Sequence, residues 1–214
     1  MVISSGNNKF DDIMDNGYGN YITSFYGSAG TGKTTFCLMA AIEQAKENKK
    51  VLYLDTEINF SLERLKQMIT NDLEDILDNI IVIKINGFKS QQDQIKNISS
   101  MVQSGKISLV IIDSIGHYYR SLVKKKSDLA NSMLNSQLRI LDEISKNVPV
   151  IITNQVYTDI DAHVVKMVGN KIIEKYSHHI IRLDNDVKRS IQIMLPFRKS
   201  LYFTIENVGI KLLD

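Results

Sequence analysis

The sequence predicts an α/β domain with a mostly parallel central sheet, flanked by helices and extended by antiparallel strands near its C-terminal end. Three observations lead to this prediction. Short β-branched apolar runs alternate with longer amphipathic stretches, as in sheets that helices cover on both faces. A glycine-rich loop joins the first of these runs to a helical stretch. Three closely spaced short runs, the first two separated by turn residues, lie near the end of the chain.

Five runs are predicted to be the parallel strands because they are short, mostly apolar and rich in β-branched residues. They are residues 22–26, 51–55, 80–84, 109–113 and 150–154. The stretches near 33–47, 61–71, 90–104 and 127–146 are predicted helices. In the last of these, Leu134, Leu138 and Leu141 recur at helical spacing. The runs 178–183, 190–195 and 201–206 are predicted to form the antiparallel extension.

Length and composition exclude several classes of protein. With 214 residues, 43% of them hydrophobic and 23% charged, the chain is predicted to fold as one globular domain over residues 1–214. A single cysteine, Cys37, excludes an internal disulfide and suits a reducing compartment. No apolar run approaches the length of a membrane span, and no signal-peptide pattern opens the sequence. We therefore expect a cytoplasmic protein without a membrane partner.

The net charge of +2 conceals an asymmetry between the two halves of the chain. Residues 1–104 carry 10 Lys and Arg against 13 Asp and Glu, whereas residues 105–214 carry 16 against 11. A basic half weakly suggests a polyanionic partner. Chance in a lysine-rich chain explains the asymmetry equally well.

Residues 27–34 read GSAGTGKT and match the phosphate-loop pattern, with Gly27, Gly32, Lys33 and Thr34 in its fixed positions. Glycines let backbone N–H groups turn toward an anion, and the start of a helix adds partial positive charge. Lys33 can reach the β- and γ-phosphates, and the Thr34 hydroxyl can bind Mg²⁺. The predicted nucleotide-binding residues here are Gly27, Ser28, Ala29, Gly30, Thr31, Gly32, Lys33, Thr34 and Thr35.

Asp113 ends a run of four apolar residues and is therefore predicted to lie at the carboxyl end of a buried strand. Ligands of open α/β sheets bind at that edge. An acid there can hold Mg²⁺ together with Thr34. The phosphate loop and this strand together indicate binding of ATP or GTP.

Two further polar residues follow predicted strands, and their roles stay open on spacing alone. Glu57 follows the strand VLYLD and could activate a water molecule, or it could be an ordinary loop acid. Gln155 follows the strand 150–154 and could touch the γ-phosphate. A polar residue that simply ends the strand explains Gln155 better on spacing alone.

A basic cluster follows the Asp113 strand. Arg120, Lys124, Lys125 and Lys126 lie within seven residues without an acid, next to Tyr119. Basic side chains bind phosphates, and aromatic rings stack on unpaired bases. Taken by itself, the cluster suits a solvated loop better than a DNA contact.

Four segments resemble, in the same order, the RecA-like recombinase core in its archaeal and eukaryotic branch. They are GSAGTGKTT, VLYLDTEINFSLERL, LVIIDSIGHYYR and PVIITNQV. Only 26 residues precede Gly27, too few for the helical N-terminal DNA-binding domain of the full-length strand-exchange enzymes. The resemblance therefore implies a RecA-like P-loop NTPase core, in a paralogue that consists of this core alone.

The resemblance assigns roles to individual residues. It implies that ATP and Mg²⁺ are bound, that Glu57 activates water, and that Gln155 senses the nucleotide at the start of the second DNA loop. Lys33, Glu57 and Gln155 would be the catalytic set. Arg64, in FSLERL, matches an arginine that stacks on adenine.

The resemblance also implies two DNA-binding loops. Tyr119 and Arg120 fall where the first loop begins, so that Tyr119, Arg120, Lys124, Lys125 and Lys126 become the expected DNA-binding residues. Residues 156–168 would form the second loop, which holds a single lysine and is only weakly basic. In the family's polymers, acids near the last hairpin reach the neighbouring subunit's ATP, whereas residues 195–200 here read LPFRKS. We therefore expect weak ATP hydrolysis.

The function implied is that of an accessory protein in DNA repair and homologous recombination. Its expected partners are DNA, a full-length RadA-type recombinase and Holliday-junction processing proteins. A RecA-like regulatory ATPase that controls a protein assembly, of motility or clock type, is the alternative. A small-molecule kinase is disfavoured, because its arginine-rich lid has no counterpart among six scattered arginines.

Overall fold

A computed structural model describes residues 1–159 and 164–213, which form eight helices and thirteen strands. The helices are α1 (Asn8–Ile13), α2 (Lys33–Lys46), α3 (Leu62–Met68), α4 (Leu73–Asp78), α5 (Phe88–Gln103), α6 (His117–Val123), α7 (Ser127–Ser145) and α8 (Asn170–Tyr176). The strands are β1 (Val2–Ile3), β2 (Tyr18–Gly19), β3 (Ile22–Tyr26), β4 (Lys50–Asp55), β5 (Ile80–Lys84), β6 (Ile107–Asp113), β7 (Val150–Asn154), β8 (Val156–Asp159), β9 (Val164–Met167), β10 (Ser177–Asp184), β11 (Ser190–Leu195), β12 (Lys199–Glu206) and β13 (Gly209–Leu212).

Nine of the described strands form the central sheet, in the order β13-β12-β11-β10-β3-β7-β6-β4-β5. The six strands from β10 to β5 run parallel to one another, and β11, β12 and β13 continue the sheet in antiparallel fashion. Two small ribbons, β1 with β2 and β8 with β9, lie outside it. The predicted α/β class, with its parallel sheet and antiparallel extension, is therefore confirmed. The assignment of residues 178–183 to the extension was wrong: β10 runs parallel to β3, and the antiparallel part begins at β11.

Helices cover both faces of the parallel strands. Along β4, Val51 and Tyr53 point into a core that also contains most of α2, whereas Leu52 and Leu54 point into a second core with α5 and α7. All four side chains are fully buried. This burial on both faces explains why the strands appear in the sequence as continuous apolar runs.

The topology brings the polar strand ends together. In β6 and β4, Asp113 pairs with Asp55, and in β7 and β3, Asn154 pairs with Tyr26. Since parallel strands end at one edge of the sheet, the phosphate loop after β3 and the residues that follow β7, β6 and β4 lie side by side.

The predicted element boundaries agree with the structure to within three residues for the five parallel strands and the four long helical stretches. The helices α1, α4, α6 and α8, with six or seven residues each, were not predicted from the sequence. Helix α3 is equally short, with seven residues, but the stretch that contains it was predicted. No helix in the described residues is long and apolar enough to cross a membrane. Part of the predicted second DNA loop, residues 160–163, lies outside the described residues.

Candidate nucleotide site and basic loop

Two glycines of the phosphate loop are required by its geometry. A Cβ atom at Gly27 would lie 2.3 Å from the carbonyl oxygen of Leu183, so no larger residue fits there without moving the backbone. Gly32 has a φ of 103° and caps α2, a conformation that favours glycine. The loop thus turns sharply into α2, and its first backbone N–H groups face the cavity in front of it.

Lys33 folds back over this loop. Its Nζ donates to the carbonyl oxygens of Gly27, at 2.8 Å, and Ser28, at 2.7 Å. Burial lowers the pKa of Lys33, and the carboxylates of Asp113 and Glu57 oppose that shift. The lysine is therefore held where its ammonium group can face an anion in the loop.

Asp113 is anchored by three hydroxyl groups, each from a different element. Thr34 Oγ1 and Tyr53 Oη each donate to Asp113 Oδ2 at 2.7 Å, and Thr153 Oγ1 donates to Oδ1. The residue is 7% exposed. Burial, followed by the charge of Asp113, raises the pKa of Tyr53 well above its usual value, so this hydroxyl stays a donor.

Glu57 and Gln155 meet at the same sheet edge. Glu57 Oε1 accepts hydrogen bonds from Ser114 Oγ at 2.6 Å and from Gln155 Nε2 at 2.7 Å. Its Oε2 accepts a longer bond, 3.3 Å, from Asn59 Nδ2. The Glu57 side chain is 20% exposed, so it is oriented by its partners and still accessible.

A continuous hydrogen-bond chain leads from this glutamate to the basic cluster. Gln155 donates to Glu57, and its Oε1 accepts from Arg120 Nη1 at 3.0 Å. A cavity of about 450 Å³ unites these three side chains with the phosphate loop and Asp113. Five loop residues that the sequence predicts, together with Thr34, line it: Gly27, Ser28, Ala29, Gly30 and Lys33.

Four predicted nucleotide-binding residues lie outside the set of described residues that line this cavity: Thr31, Gly32, Thr35 and Arg64. Thr31 is buried, and its hydroxyl donates to Ser28 O at 2.9 Å, which braces the loop from within. Thr35 is a buried residue of α2. Arg64 lies on α3, where it donates to Glu206 O at 2.6 Å and to Asn207 O at 3.1 Å. The guanidinium is thus held against the turn between β12 and β13.

The basic cluster begins on a helix. Tyr119 and Arg120 belong to α6, and Lys124, Lys125 and Lys126 form the turn between α6 and α7. Arg120 and the three lysines are exposed. Tyr119 is 6% exposed, and its hydroxyl donates to Asn131 Oδ1 at 2.7 Å, so its ring packs in the core beneath the cluster.

The profile of the Rad51 family matches residues 1–192 of the chain. The chain belongs to the Rad51 family. It is 33% identical to the DNA repair and recombination protein RadB of Archaeoglobus fulgidus, over 99% of this chain and 98% of the relative. It is 35% identical to a protein of the same name from Methanobrevibacter smithii (84% and 80% coverage) and 29% identical to one from Methanoculleus marisnigri (98% and 97%). The predicted resemblance to a RecA-like recombinase paralogue is thus confirmed.

Several residues of the site could not be identified from the sequence alone. Tyr53 and Thr153 anchor Asp113, but nothing in the quoted segments VLYLDTEINFSLERL and PVIITNQV points to their hydroxyl groups. Ser114, which holds Glu57, directly follows Asp113, and that adjacency is the one signal for it. Arg189, between β10 and β11, donates to Gly30 O at 2.6 Å and so reaches the phosphate loop from a distant part of the chain.

Proposed function

We propose that this chain is an ATP-binding accessory protein of DNA repair and recombination, which binds DNA, hydrolyses ATP slowly and assists a full-length RadA-type recombinase. One observation carries the proposal. The hydrogen-bond chain from Glu57 through Gln155 to Arg120 joins the nucleotide cavity to an exposed basic cluster. The names of the RadB relatives, which describe DNA repair and recombination, support the same role.

The donor set at the phosphate loop suits Mg²⁺. Thr34 Oγ1 and Asp113 Oδ2, only 2.7 Å apart, are both hard oxygen ligands of the kind that Mg²⁺ prefers. Thr34 and Asp113 would hold the ion, which when bound supplies positive charge for the phosphates. Lys33 and the backbone N–H groups of the loop would bind the phosphates themselves.

Glu57 is the proposed base for hydrolysis. A carboxylate that activates water must be fixed in orientation and reachable from the cavity. Ser114 and Gln155 fix Glu57 Oε1, and the side chain lines the cavity. Because Gln155 donates to the same oxygen, any displacement of Gln155 changes the orientation of the Glu57 carboxylate directly.

The proposed DNA contacts are those of the basic cluster. Arg120, Lys124, Lys125 and Lys126 are exposed and can neutralise phosphates, with Tyr119 packed beneath them as support. A DNA phosphate that binds Arg120 would compete with its bond to Gln155. We therefore propose that DNA contact changes ATP turnover through Gln155.

Slow hydrolysis follows from the segment between β11 and β12. Residues 195–200 are apolar and basic, so in a polymer of the family's type they would bring no acid to a neighbouring nucleotide. The proposed site therefore works with the side chains of one chain.

The test combines ATP turnover with DNA binding by gel shift at low salt. We expect slow turnover that changes when single-stranded DNA or the full-length recombinase of the same cell is added. Lys33→Ala should abolish this turnover and is the matched control for contaminating ATPases. Absence of DNA binding to single- and double-stranded probes, with turnover indifferent to recombinase, would overturn the proposal in favour of a regulatory ATPase.

A further inference from the structure

Two buried glutamine side chains, Gln91 of α5 and Gln137 of α7, meet between these two helices. Neither is exposed to solvent. The other buried side chains of α5, and nearly all of those of α7, are apolar members of the second core. Glutamine is mostly an exposed residue in folded proteins, so a buried pair among apolar side chains needs a specific reason.

The side-chain amide of Gln91 links the two helices to the connection between β6 and α6. Its Nε2 donates to Gln137 Oε1 at 2.8 Å and to the carbonyl oxygen of Ile115, in that connection, at 3.1 Å. Gln91 Oε1 and Gln137 Nε2 have no hydrogen-bond partner among the described residues. Burying part of an amide group without a hydrogen bond lowers stability, so the packing of the core alone does not explain the pair.

The connection that Gln91 holds also carries a contact of the proposed base. Ser114, next to Ile115 in the chain, donates from Oγ to Glu57 Oε1 at 2.6 Å. Thr56, which follows β4, holds the same serine, since its Oγ1 accepts from Ser114 N and donates to Ser114 O, both at 2.8 Å. The connection is therefore fixed from two directions, by Thr56 at Ser114 and by Gln91 at Ile115.

We infer that Gln91 and Gln137 are positioning residues for ATP hydrolysis, which hold Ser114 and thereby the orientation of the Glu57 carboxylate. Gln137 orients the Gln91 amide, and Gln91 fixes the backbone next to Ser114. Neither glutamine is among the described residues that line the nucleotide cavity, so we expect the pair to affect the rate of hydrolysis and not the binding of ATP. This rests on the proposed function, because it requires Glu57 to be the base.

Gln91→Leu and Gln137→Leu test the inference, because leucine fills a similar space and makes no side-chain hydrogen bond. Each change should lower kcat for ATP about tenfold, as expected for a slightly misplaced base, and leave KM within about twofold of the parent value. Gln103→Leu is the matched control, since Gln103 is an exposed glutamine at the end of α5. It should keep both constants.

A double-mutant cycle with Ser114→Ala separates positioning from a general loss of packing. If the pair acts through Ser114, removing the Ser114 hydroxyl already breaks the route to Glu57. Adding Gln91→Leu to Ser114→Ala should then lower kcat by less than about twofold further, because the two changes interrupt one network. A residue that only stabilises the fold would lower kcat by the same factor in the parent and in Ser114→Ala.

Gln91→Leu removes the donor to the Ile115 carbonyl and should lower the urea midpoint of unfolding, whereas Gln137→Leu leaves that bond in place. If Gln91→Leu does not fold, Gln137→Leu replaces it in the cycle. A parent-like kcat in either folded variant, a KM that rises as kcat falls, or additive effects in the cycle would overturn the inference and leave the proposed function standing. A parent whose ATP turnover does not exceed that of Lys33→Ala would overturn both.

Discussion

Asp113 and Glu57 are both carboxylates at one edge of the sheet, but their surroundings give them different chemistry. Asp113 accepts three hydroxyl donors and is nearly buried, so its carboxylate is fixed in position. Glu57 is more exposed and takes one amide and one hydroxyl donor on a single oxygen. A buried carboxylate that is fixed in position suits a metal-binding acid. A carboxylate that is oriented by hydrogen bonds and still exposed suits a base that takes a proton from water.

Glu57→Gln should keep ATP binding and lose hydrolysis. The amide is nearly isosteric but cannot take a proton from water, and a positioned base contributes about 100-fold or more. Turnover under single-turnover conditions should therefore fall by about that factor, while ATP affinity from equilibrium dialysis stays within about twofold. A variant that hydrolyses ATP like the parent would show that Glu57 is not the base.

Single residues could be predicted where a pattern in the sequence determines their role. They could not be predicted where the role depends on a side-chain contact between distant strands. Asp113 was predictable because it ends an apolar run, and Lys33 because the loop motif fixes its position. Tyr53 and Thr153 were not, since their hydroxyls gain a function only when β4 and β7 flank β6. The pairing of Glu57 with Gln155 required the same knowledge of the strand order.

Among the elements, the C-terminal hairpin holds an arginine that lies outside the described residues lining the nucleotide cavity. The turn between β12 and β13 offers the carbonyls of Glu206 and Asn207 to Arg64, which joins this hairpin to α3. Planar guanidinium groups held in this way keep a face free for stacking on a base. The hairpin therefore positions Arg64, the residue that the resemblance assigns to adenine.

Arg64→Ala should weaken binding of ATP and leave binding of inorganic tripolyphosphate unchanged, because only ATP carries a base. Isothermal titration with both ligands measures the difference. Arg139→Ala, which changes an exposed arginine on α7, is the matched control and should bind both like the parent. Equal loss for ATP and tripolyphosphate would assign Arg64 to the phosphates instead.

Strand β10 carries a buried histidine that makes the fold sensitive to acid. His179 is fully buried beside the rings of Tyr21 and His178, and neither of its ring nitrogens has a hydrogen-bond partner among the described residues. Burial, and then His178, lower its pKa to about 4, against a small opposing effect of Asp15. The folded protein therefore holds this imidazole neutral.

The unfolded chain takes up the proton near pH 6.5, well before the folded protein does. Stability from His179 is thus complete above about pH 6.5 and is lost as the pH falls toward 4. Between pH 7 and pH 5 the parent should lose about 2 kcal/mol through this group. Urea unfolding of His179→Phe should show a correspondingly smaller loss. His178→Gln, a change at an exposed neighbour, should keep most of the parent's loss of stability. An equal loss in the parent and in both variants would contradict the assignment of this pH dependence to His179.

Whole elements were predictable where local pattern determines them. The five strands predicted to be parallel have nearly the predicted boundaries because burial on both faces requires continuous apolar sequence. The region proposed to bind DNA was expected as a loop but begins as α6, whose seven residues pack Tyr119 into the second core. The packing of Tyr119 is a tertiary contact, and the local sequence pattern does not indicate it.

For the molecule as a whole, the two halves of the chain, which differ in charge, are interleaved in one sheet. The phosphate loop and Glu57 come from the acidic half, whereas the basic cluster comes from the basic half. The sheet joins the halves, since β6 and β7 of the second half lie between β3 and β4 of the first. Length and composition indicated one globular chain, but only the strand order shows how the two halves meet.

The position of β3 has a consequence for synthesis. This strand delivers the phosphate loop, but its two neighbours in the sheet, β7 and β10, begin only at Val150 and Ser177. Gly27 packs against Leu183, and Gly30 accepts a bond from Arg189. A nascent chain on the ribosome therefore carries the motif long before it has a binding site, and we expect nucleotide to stabilise the fold only when the chain has emerged as far as Arg189.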